Sequence, residues 1–345
     1  MSDVLQAQRV TSEDVTTTLA PDQLEVYRRE LTGYCYRMLG SGFEAEDAVQ
    51  ETFLKAVRFG DSFEGRSSVR SWLYRVATNV CTDMQRGAQR RARPMELGPS
   101  SPPDESRLGP LEPEALWVSP IGDDRILHDT ADPAEITVAR ESIRLAFVTA
   151  LQHLPARQRA ALILCDVLRW QASEAAELLD TSVAAVNSAL QRARATMAAL
   201  PAEARPLDVP SDNADLLARY VAAFESYDID SFVSLLHDDA IQSMPPYAMW
   251  LQGAENIGRW MELPGPGACR GSRLVATSAN GCPAFAQYRP DPSGGYYPWA
   301  LQVLEISAGR VCVINSFLDA KRLFLAFGMP SQPPAEPVHT PPPRP

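Results

Sequence analysis

Apolar residues recur every three or four positions through the first part of the chain, a spacing that predicts α-helices. One apolar stripe covers 24–38 and stops before Gly40 and a second glycine two residues later. A second stripe covers 48–57, and a third, which begins at Ser68, extends to residue 84. The pattern therefore predicts three packed helices within the first ninety residues.

The same helical spacing returns after a long interruption. It continues through 134–152, and Pro155 then opens a further helix that reaches residue 168, since proline is tolerated in a first helical turn. A short helix over 172–180 follows, with Ser173 as a plausible N-cap, and Thr181-Ser182 can cap a last helix. This second block is thus predicted to be helical as well.

A short helix, a tight turn and a second helix form the arrangement that places side chains in a DNA major groove. Val183, Val186 and Leu190 of the last helix are expected to pack inward. The side chains expected to point outward are amides, hydroxyls and arginines, namely Asn187, Ser188, Gln191, Arg192 and Arg194. Ordinary helical hairpins can look similar, so this pattern alone leaves both interpretations open.

The C-terminal third changes from helical to alternating patterns. A helix is predicted over 212–226, and Asp230 can cap a second helix that ends at Leu236. Strand-like runs follow at Ala240–Met244, Arg273–Ser278, Ala284–Arg289, Trp299–Ile306 and Val311–Phe317, with a helix near Glu255–Met261. The expected fold class is therefore multidomain, with two all-α modules and a C-terminal α+β cone over 206–330.

The chain has 345 residues, 45% of them apolar, which suits two or three packed domains. No apolar run reaches the length of a membrane helix and the N-terminus lacks a signal-peptide pattern, so we expect a cytoplasmic protein with no membrane partner. Six scattered cysteines form no C-x-x-C pair. We therefore expect buried, reduced thiols, with no metal site and no cofactor.

A net charge of −11 disfavours a nucleic-acid binder, but the charge is unevenly distributed. Residues 22–93 carry 12 cations against 10 anions, and 142–205 carry 7 against 5. The proline-rich segment 94–133 and the residues just after it are strongly acidic. We expect this linker to be mostly extended, apart from a Trp117-Val118 pair that could dock on a folded domain, and we expect residues 1–21 and 331–345 to be disordered.

Two polar faces in the first block could carry function. Asp47, Gln50 and Glu51 lie on one face of the second predicted helix. The third predicted helix presents a stripe of cations and polar groups, namely Arg75, Asn79, Thr82 and Arg86. An arginine cluster ends the block, formed by Arg86, Arg90, Arg91 and Arg93. Clustered cations favour phosphate contacts because they release counterions. Simple solvation of a charged helix face is the alternative for both.

Four segments carry a family resemblance. They are DAVQETF (47–53), SSVRSWLYRVATNVCTD (67–83), LPARQRAALIL (154–164) and SEAAELLDTSVAAVNSALQRAR (173–194). In this order and at these separations, they resemble the extracytoplasmic-function (ECF) group of the sigma-70 family. The resemblance implies a noncatalytic protein that binds core RNA polymerase and directs it to promoter DNA.

The resemblance also implies roles for individual residues. Asp47, Gln50 and Glu51 would bind the polymerase, and the loop 61–68 with Arg75 and Asn79 would open and read the −10 element, with Arg86, Arg90 and Arg91 nearby on DNA. The last helix would read the −35 element through Asn187, Ser188, Arg192 and Arg194. The linker 94–133 would run toward the RNA exit path of the polymerase. A stand-alone helix-turn-helix regulator remains the alternative.

Residues 206–330, with PPYAMWLQG at 245–253, resemble the SnoaL-like extension of certain sigma factors. That resemblance implies a regulatory domain acting in cis, with an unknown small ligand as a possible partner and Gly294-Gly295 in place of a fuller glycine-rich motif. An isomerase-like or cyclase-like enzyme is the alternative, with His237, Asp238, Asp239 and Asp319 as the titratable candidates. Tyr247, Trp250 and Trp299 are expected to form pocket wall or core.

Overall fold

The computed structural model describes residues 21–59, 68–127, 133–200, 213–265 and 269–334. The first block is a helical bundle of α1 (Pro21–Glu25), α2 (Arg28–Leu39), α3 (Gly42–Arg58) and α4 (Val69–Met84). The first predicted helix is thus interrupted once, just before Arg28. The loop predicted at 61–68 lies, except for Ser68, outside the described residues.

Local capping explains where these helices start and stop. Gly40 adopts a left-handed conformation with φ 73° and ends α2, its N–H bonding the Tyr36 carbonyl. Ser41 caps α3 by accepting from the Glu44 N–H, and Ser68 caps α4 by accepting from the Ser71 N–H. The bundle core consists of the apolar stripes expected from the helical spacing, except that Val57 and Met84 are exposed.

The second block contains α5 (Pro133–Glu141), α6 (Leu145–Leu151), α7 (Ala156–Leu162), α8 (Ala172–Leu178) and α9 (Val183–Ala199). The single helix predicted over 134–152 is wrong, because the chain is extended at Arg144, with ψ 142°. The next predicted helix ends in a π-turn over Ile163–Val167.

Two details of the helix-turn-helix differ from prediction. Ser173 is not the cap of α8; the Glu174 carboxylate instead accepts from the N–H of Gln171, at 2.8 Å. Val183 is exposed because it is the first residue of α9, whereas Val186 and Leu190 are buried as predicted. Ser182 caps α9 by accepting from the Ala185 N–H.

The C-terminal domain has four helices and one six-stranded sheet. The helices are α10 (Ala214–Ser226), α11 (Ile229–Ser234), α12 (Ala254–Glu262) and α13 (Ala320–Ala326). The strands are β1 (Leu236–Ser243), β2 (Trp250–Gln252), β3 (Arg273–Ala279), β4 (Cys282–Pro290), β5 (Tyr296–Ser307) and β6 (Arg310–Phe317). Their order is β2-β1-β6-β5-β4-β3, antiparallel except for the β1–β6 pair.

All five predicted strands and the helix near 255–261 are present, whereas β2 and α13 were not predicted. Asp228, not Asp230, caps α11 by accepting from the Ser231 N–H, and the helix ends before Leu236. The tail prediction is wrong for residues 331–334, because Gln332 accepts from the Tyr296 N–H at 2.9 Å and lies against the β4–β5 turn. Residues 335–345 lie outside the described residues.

The linker is more ordered than its composition predicts. Between residues 94 and 127 it forms four single 3-10 turns, consistent with a mainly extended path, but it is buried over most of 116–122 and its exposed middle bonds the sheet domain. The Ser101 N–H donates to the Trp250 carbonyl and the Glu112 N–H to the Pro246 carbonyl. Trp117 and Val118 are buried, as predicted for this pair. Contacts with other parts of the chain offset the entropy cost that the acidic, proline-rich composition imposes.

The two faces of the sheet belong to different cores. One face packs with α10, α11 and α12 in the cone interior. The other face contributes Ala284, Leu301, Val303 and other residues to a core that also contains both helical blocks and the linker. The helical modules and the C-terminal domain are therefore packed together. No helix among the described residues is long and apolar enough to cross a membrane.

Candidate nucleic-acid interface

The outer face of α3 is open. Asp47, Gln50 and Glu51 are exposed, while Ala48 and Val49 on the opposite side are completely buried. The same outer face continues into exposed apolar side chains, Leu54, Val57 and Phe59. An acidic and amide surface beside exposed apolar groups is suited to a protein partner.

The predicted stripe on α4 is open at its C-terminal end and covered at its start. Asn79 is exposed, and the Arg86 side chain is 78% exposed beside Asp83. Thr82 donates its hydroxyl hydrogen to the Thr78 carbonyl. Arg75, in contrast, is half-buried and donates to the Glu177 carbonyl of α8 at 3.0 Å. Part of this stripe therefore lies under the second helical block.

The arginine cluster after α4 mainly fastens the linker, which corrects the expectation that it faces phosphate. Arg91 is buried, donates to the Trp117 carbonyl at 2.7 Å and pairs with Glu44. Arg93 is also buried; burial lowers its pKa, and the facing carboxylate of Glu305 on β5 raises it. Arg90 bonds Glu96 and His153 at the surface. Of the four, only Arg86 retains a largely exposed side chain.

The residues of α9 that were predicted to read the DNA major groove lie together on its outer face. Asn187, Gln191, Arg192 and Arg194 are exposed and Ser188 is half-buried. Arg192 donates to the Ser188 hydroxyl at 2.6 Å, and Arg194 forms two bonds to Asp166 at 2.6 and 2.9 Å. Because exposed ion pairs contribute little to stability, Arg194 can exchange Asp166 for another anion at small cost.

An Asn-Gly turn joins the C-terminal domain to everything else. Asn280 and Gly281, at the tip of the β3–β4 hairpin, have φ values of 57° and 72°, as expected for a two-residue hairpin turn. Asn280 is completely buried. Its Nδ2 donates to the Tyr36 hydroxyl of α2 and to the Ile143 carbonyl, each at 2.6 Å. Its Oδ1 accepts from the Ile121 N–H of the linker at 3.1 Å.

We call this set of bonds the Asn280 contact, and it connects four parts of the chain. Neither sequence periodicity nor the family resemblance identified it. The available signal was an Asn-Gly pair between two strand-like runs, which indicates a hairpin but not its partner. Position 281 requires glycine, because a Cβ there would lie too close to the Arg140 side chain, at 2.9 Å.

A half-buried aspartate lies beside this turn. Asp123 accepts from the Gly281 N–H at 2.8 Å. Burial raises its pKa from 3.8 to about 6, opposed by that hydrogen bond and by Arg140. The resulting stabilisation is present below about pH 4 and is lost as the pH rises through 6, because the folded chain holds a proton that the unfolded chain has released.

We therefore predict that the full chain is more stable toward urea at pH 5 than at pH 7.5, by about 1.4 kcal/mol from this group. Asp123→Asn, which keeps an acceptor for Gly281, is expected to reduce that difference. It should not remove it completely, because burial also raises the pKa of Glu305. An unchanged pH dependence in the variant would contradict the assignment to Asp123.

Further contacts hold the domains together. The Trp250 indole donates to the Gly98 carbonyl of the linker at 2.9 Å. Arg322 of α13 lies 4.1 Å from the centre of the Phe43 ring of α3 and pairs with Glu114. The C-terminal domain thus contacts the linker and the first helical block at several points besides the Asn280 contact.

The cone interior is nearly filled. Its cavity has a volume of about 20 Å³, room for a water molecule. Among its lining residues, Tyr220 donates to Gln302, which donates to Gln287, each at 2.9 Å. Trp299 also lines the cavity, as predicted, whereas Trp250 and Tyr247 contact the linker.

The titratable candidates for catalysis do not meet in this cavity. His237, Asp238 and Asp239 lie at the start of β1, not at a helix end, and His237 pairs with Asp239 at 2.5 Å. Asp319 precedes α13 and lies 3.7 Å from Arg322. None of these four is among the described residues that line the cavity. Gly294-Gly295 forms the β4–β5 turn.

Comparison with known proteins places the whole chain in context. Models of sigma-70 region 2 and sigma-70 region 4 match residues 24–91 and 144–197. The ECF RNA polymerase sigma factor SigG of Mycobacterium tuberculosis is 46% identical over 311 residues, covering 89% of this chain and 82% of SigG. SigJ of the same organism is 28% identical over 304 residues, covering 85% of this chain and 89% of SigJ.

The fold of this chain is also similar to the crystal structure of SigJ. The superposed region covers 90% of this chain and 99% of SigJ, with a TM-score of 0.54 and 24% sequence identity. The expected architecture, two helical sigma modules followed by an α+β domain, is confirmed. With its two sigma-70 regions and its extended identity to SigG, this chain belongs to the ECF RNA polymerase sigma factors.

Proposed function

We propose that this sigma factor binds core RNA polymerase through the outer face of α3 and directs it to promoters through α4 and α9. The observation that carries the proposal is the exposure of Asp47, Gln50 and Glu51 on one helix face within the region 2 match. The net charge of −11 supports the same proposal, because a chain with little attraction of its own for phosphate needs a larger partner to hold it on DNA.

The α9 face supports a role in reading duplex DNA. Asn187, Arg192 and Arg194 project from the second helix of a helix-turn-helix, where amides and guanidinium groups can bond base edges or phosphates. Asn79, exposed on α4, is suited to an unstacked base, which an amide recognises through its hydrogen-bonding edge.

The C-terminal domain is proposed to regulate the factor in cis by stabilising a closed chain. The Asn280 contact binds the first module, the linker and the second module to one turn. In this closed arrangement Arg75 is covered by α8, and the linker is packed against the sheet domain instead of being free to enter a polymerase channel. Release of the domain would free the linker.

Transcription reconstituted with purified core polymerase tests this function. We expect the full chain to support promoter-directed initiation, and deletion of 206–345 to change its extent without abolishing it, because both sigma modules precede residue 206. A comparison of circular dichroism spectra checks that the shortened chain is folded. Complete loss of initiation by a folded shortened chain would reject regulation in cis.

Asn79→Ala is predicted to weaken open-complex formation more than polymerase binding. The side chain is exposed on α4, so its removal should leave the fold intact while removing an amide that can hold a flipped base, a loss of about tenfold in open complexes. Permanganate footprinting measures strand opening, and a binding titration with core polymerase serves as the control. Equal initiation by the variant and the parent chain would contradict the role.

A further inference from the structure

The two helical modules also contact each other directly, away from the C-terminal domain. Trp170 lies between the π-turn and α8, is 8% exposed, and donates its backbone N–H to the Leu164 carbonyl. Its ring centre lies 5.0 Å from the ring centre of Tyr74 on α4, with the planes tilted by 53°. A side chain at the start of the helix-turn-helix therefore packs on the helix that carries Asn79.

A cation completes this packing. The guanidinium of Arg70 lies 5.3 Å from the centre of the Trp170 ring and 5.4 Å from the centre of the Tyr74 ring. Glu30 of α2 holds that guanidinium, accepting from its Nε at 2.8 Å. Aromatic pairs and cations placed over rings stabilise the surfaces that they join.

The same approach covers part of the promoter stripe. Arg75, the residue after Tyr74, donates to the Glu177 carbonyl near the end of α8. The residues of this surface are Glu30, Arg70, Tyr74, Arg75, Trp170 and Glu177, and we call it the Trp170 contact. All six belong to the two sigma modules.

We propose that the Trp170 contact is a second closing contact, which holds region 4 against α4 independently of the C-terminal domain. Its function is to keep Arg75 covered, so that release of the C-terminal domain alone frees the linker but leaves the two DNA-reading helices together. Opening of the Trp170 contact is then a separate step, at which α8 leaves α4. This inference goes beyond regulation by the C-terminal domain, because it assigns part of the closed state to the sigma modules themselves.

The experiment measures the distance between the two modules in the full chain. Spin labels are attached through Arg58→Cys on α3 and Ala195→Cys on α9, both exposed positions, in a Cys165→Ser background that removes the one native cysteine that is not buried. Double electron–electron resonance then reports the distribution of distances. Trp170→Ala tests the contact, and Trp170→Phe tests whether a smaller ring restores it.

Two further variants keep the test decisive. Arg70→Met removes the cation from the α4 side and leaves the core of region 4 intact, so it replaces Trp170→Ala if that variant fails to fold. Trp250→Ala is the matched control, because it removes an indole that bonds the linker at Gly98 and not the Trp170 contact.

We expect Trp170→Ala to raise the population of long distances about tenfold, Arg70→Met to raise it several-fold, and Trp170→Phe to return it most of the way to the parent value. Trp250→Ala should leave the population unchanged. In a variant that combines Asn280→Gly with Arg70→Met, the fold-increases that the two substitutions cause in the population of long distances should multiply, as for independent sites. An unchanged distribution in folded Trp170→Ala or Arg70→Met, or no further increase in the combined variant, would overturn the proposal.

Discussion

Asn280→Gly is expected to open the full-length factor and to increase both its binding to core polymerase and its initiation. Glycine accepts the positive φ of 57° at this position, so the hairpin keeps its backbone while the side chain is lost. Three buried hydrogen bonds then disappear, to Tyr36, Ile143 and Ile121. At about 1 kcal/mol each, the closed state would lose about 3 kcal/mol, which is roughly a hundredfold in the ratio of closed to open chains.

Hydrogen exchange of the linker amides measures this opening directly. The Ile121 N–H, which bonds Asn280 Oδ1 in the closed chain, should exchange faster in the variant, and a titration with core polymerase should show tighter binding. The expected gain follows because binding to a minor open population is weakened in proportion to that population.

Asn315→Ala is the matched control for Asn280→Gly. Asn315 is also a buried asparagine of the sheet domain, but its side chain bonds Ser243 within that domain, at 2.9 Å. The control should lower the stability of the domain without altering exchange at Ile121. Equal behaviour of the two variants, or slow exchange at Ile121 in Asn280→Gly, would contradict a closing role for the Asn280 contact.

Reversing the charge of α3, with Asp47→Arg and Glu51→Arg together, should abolish useful binding to core polymerase. Both side chains are exposed, so the fold should change in stability by less than about 1 kcal/mol. At the centre of a protein interface such a reversal should cost at least about 3 kcal/mol, which lowers the affinity by a hundredfold or more. A titration of labelled factor with core polymerase measures this loss.

Glu255→Arg provides the control for charge alone, since Glu255 is an exposed acid on α12 of the C-terminal domain. It should leave the polymerase affinity within about twofold of the parent value. Reversal at Asp47 and Glu51 should also cancel the gain from Asn280→Gly, because opening only exposes a surface that must still bind. A factor that initiates normally after the double reversal would instead behave as a stand-alone helix-turn-helix regulator.

Local patterns predicted much of the secondary structure because local interactions determine it. The stop at Gly40 and the start of α4 after Ser68 each depend on bonds within a few residues, and both are present. The break before Arg144 was missed because the apolar spacing continues on both sides of it. Two short elements, β2 and α13, were missed because three and seven residues carry too little periodicity to be recognised.

The burial predicted for the cysteines was confirmed for five of the six, while Cys165 is half-buried. The linker follows the mostly extended path that was predicted, and its Trp117-Val118 pair is buried as expected. Composition did not indicate that Ile121 is buried as well, because other segments supply the surfaces that cover it. Similarly, Arg91 and Arg93 were predicted to face phosphate because their carboxylate partners, Glu44 and Glu305, are distant in sequence.

By itself, the sequence determined the helices and most strands, the helix-turn-helix, the family resemblance and which polar faces accompany them, because periodicity, capping and motif spacing are properties of neighbouring residues. Only the tertiary structure decided that Asn280 joins four parts of the chain, that Trp170 packs on Tyr74, and that Arg75 is covered. Each of these contacts joins residues that are about a hundred or more positions apart. Their geometry depends on how whole elements pack, so no local pattern contains it.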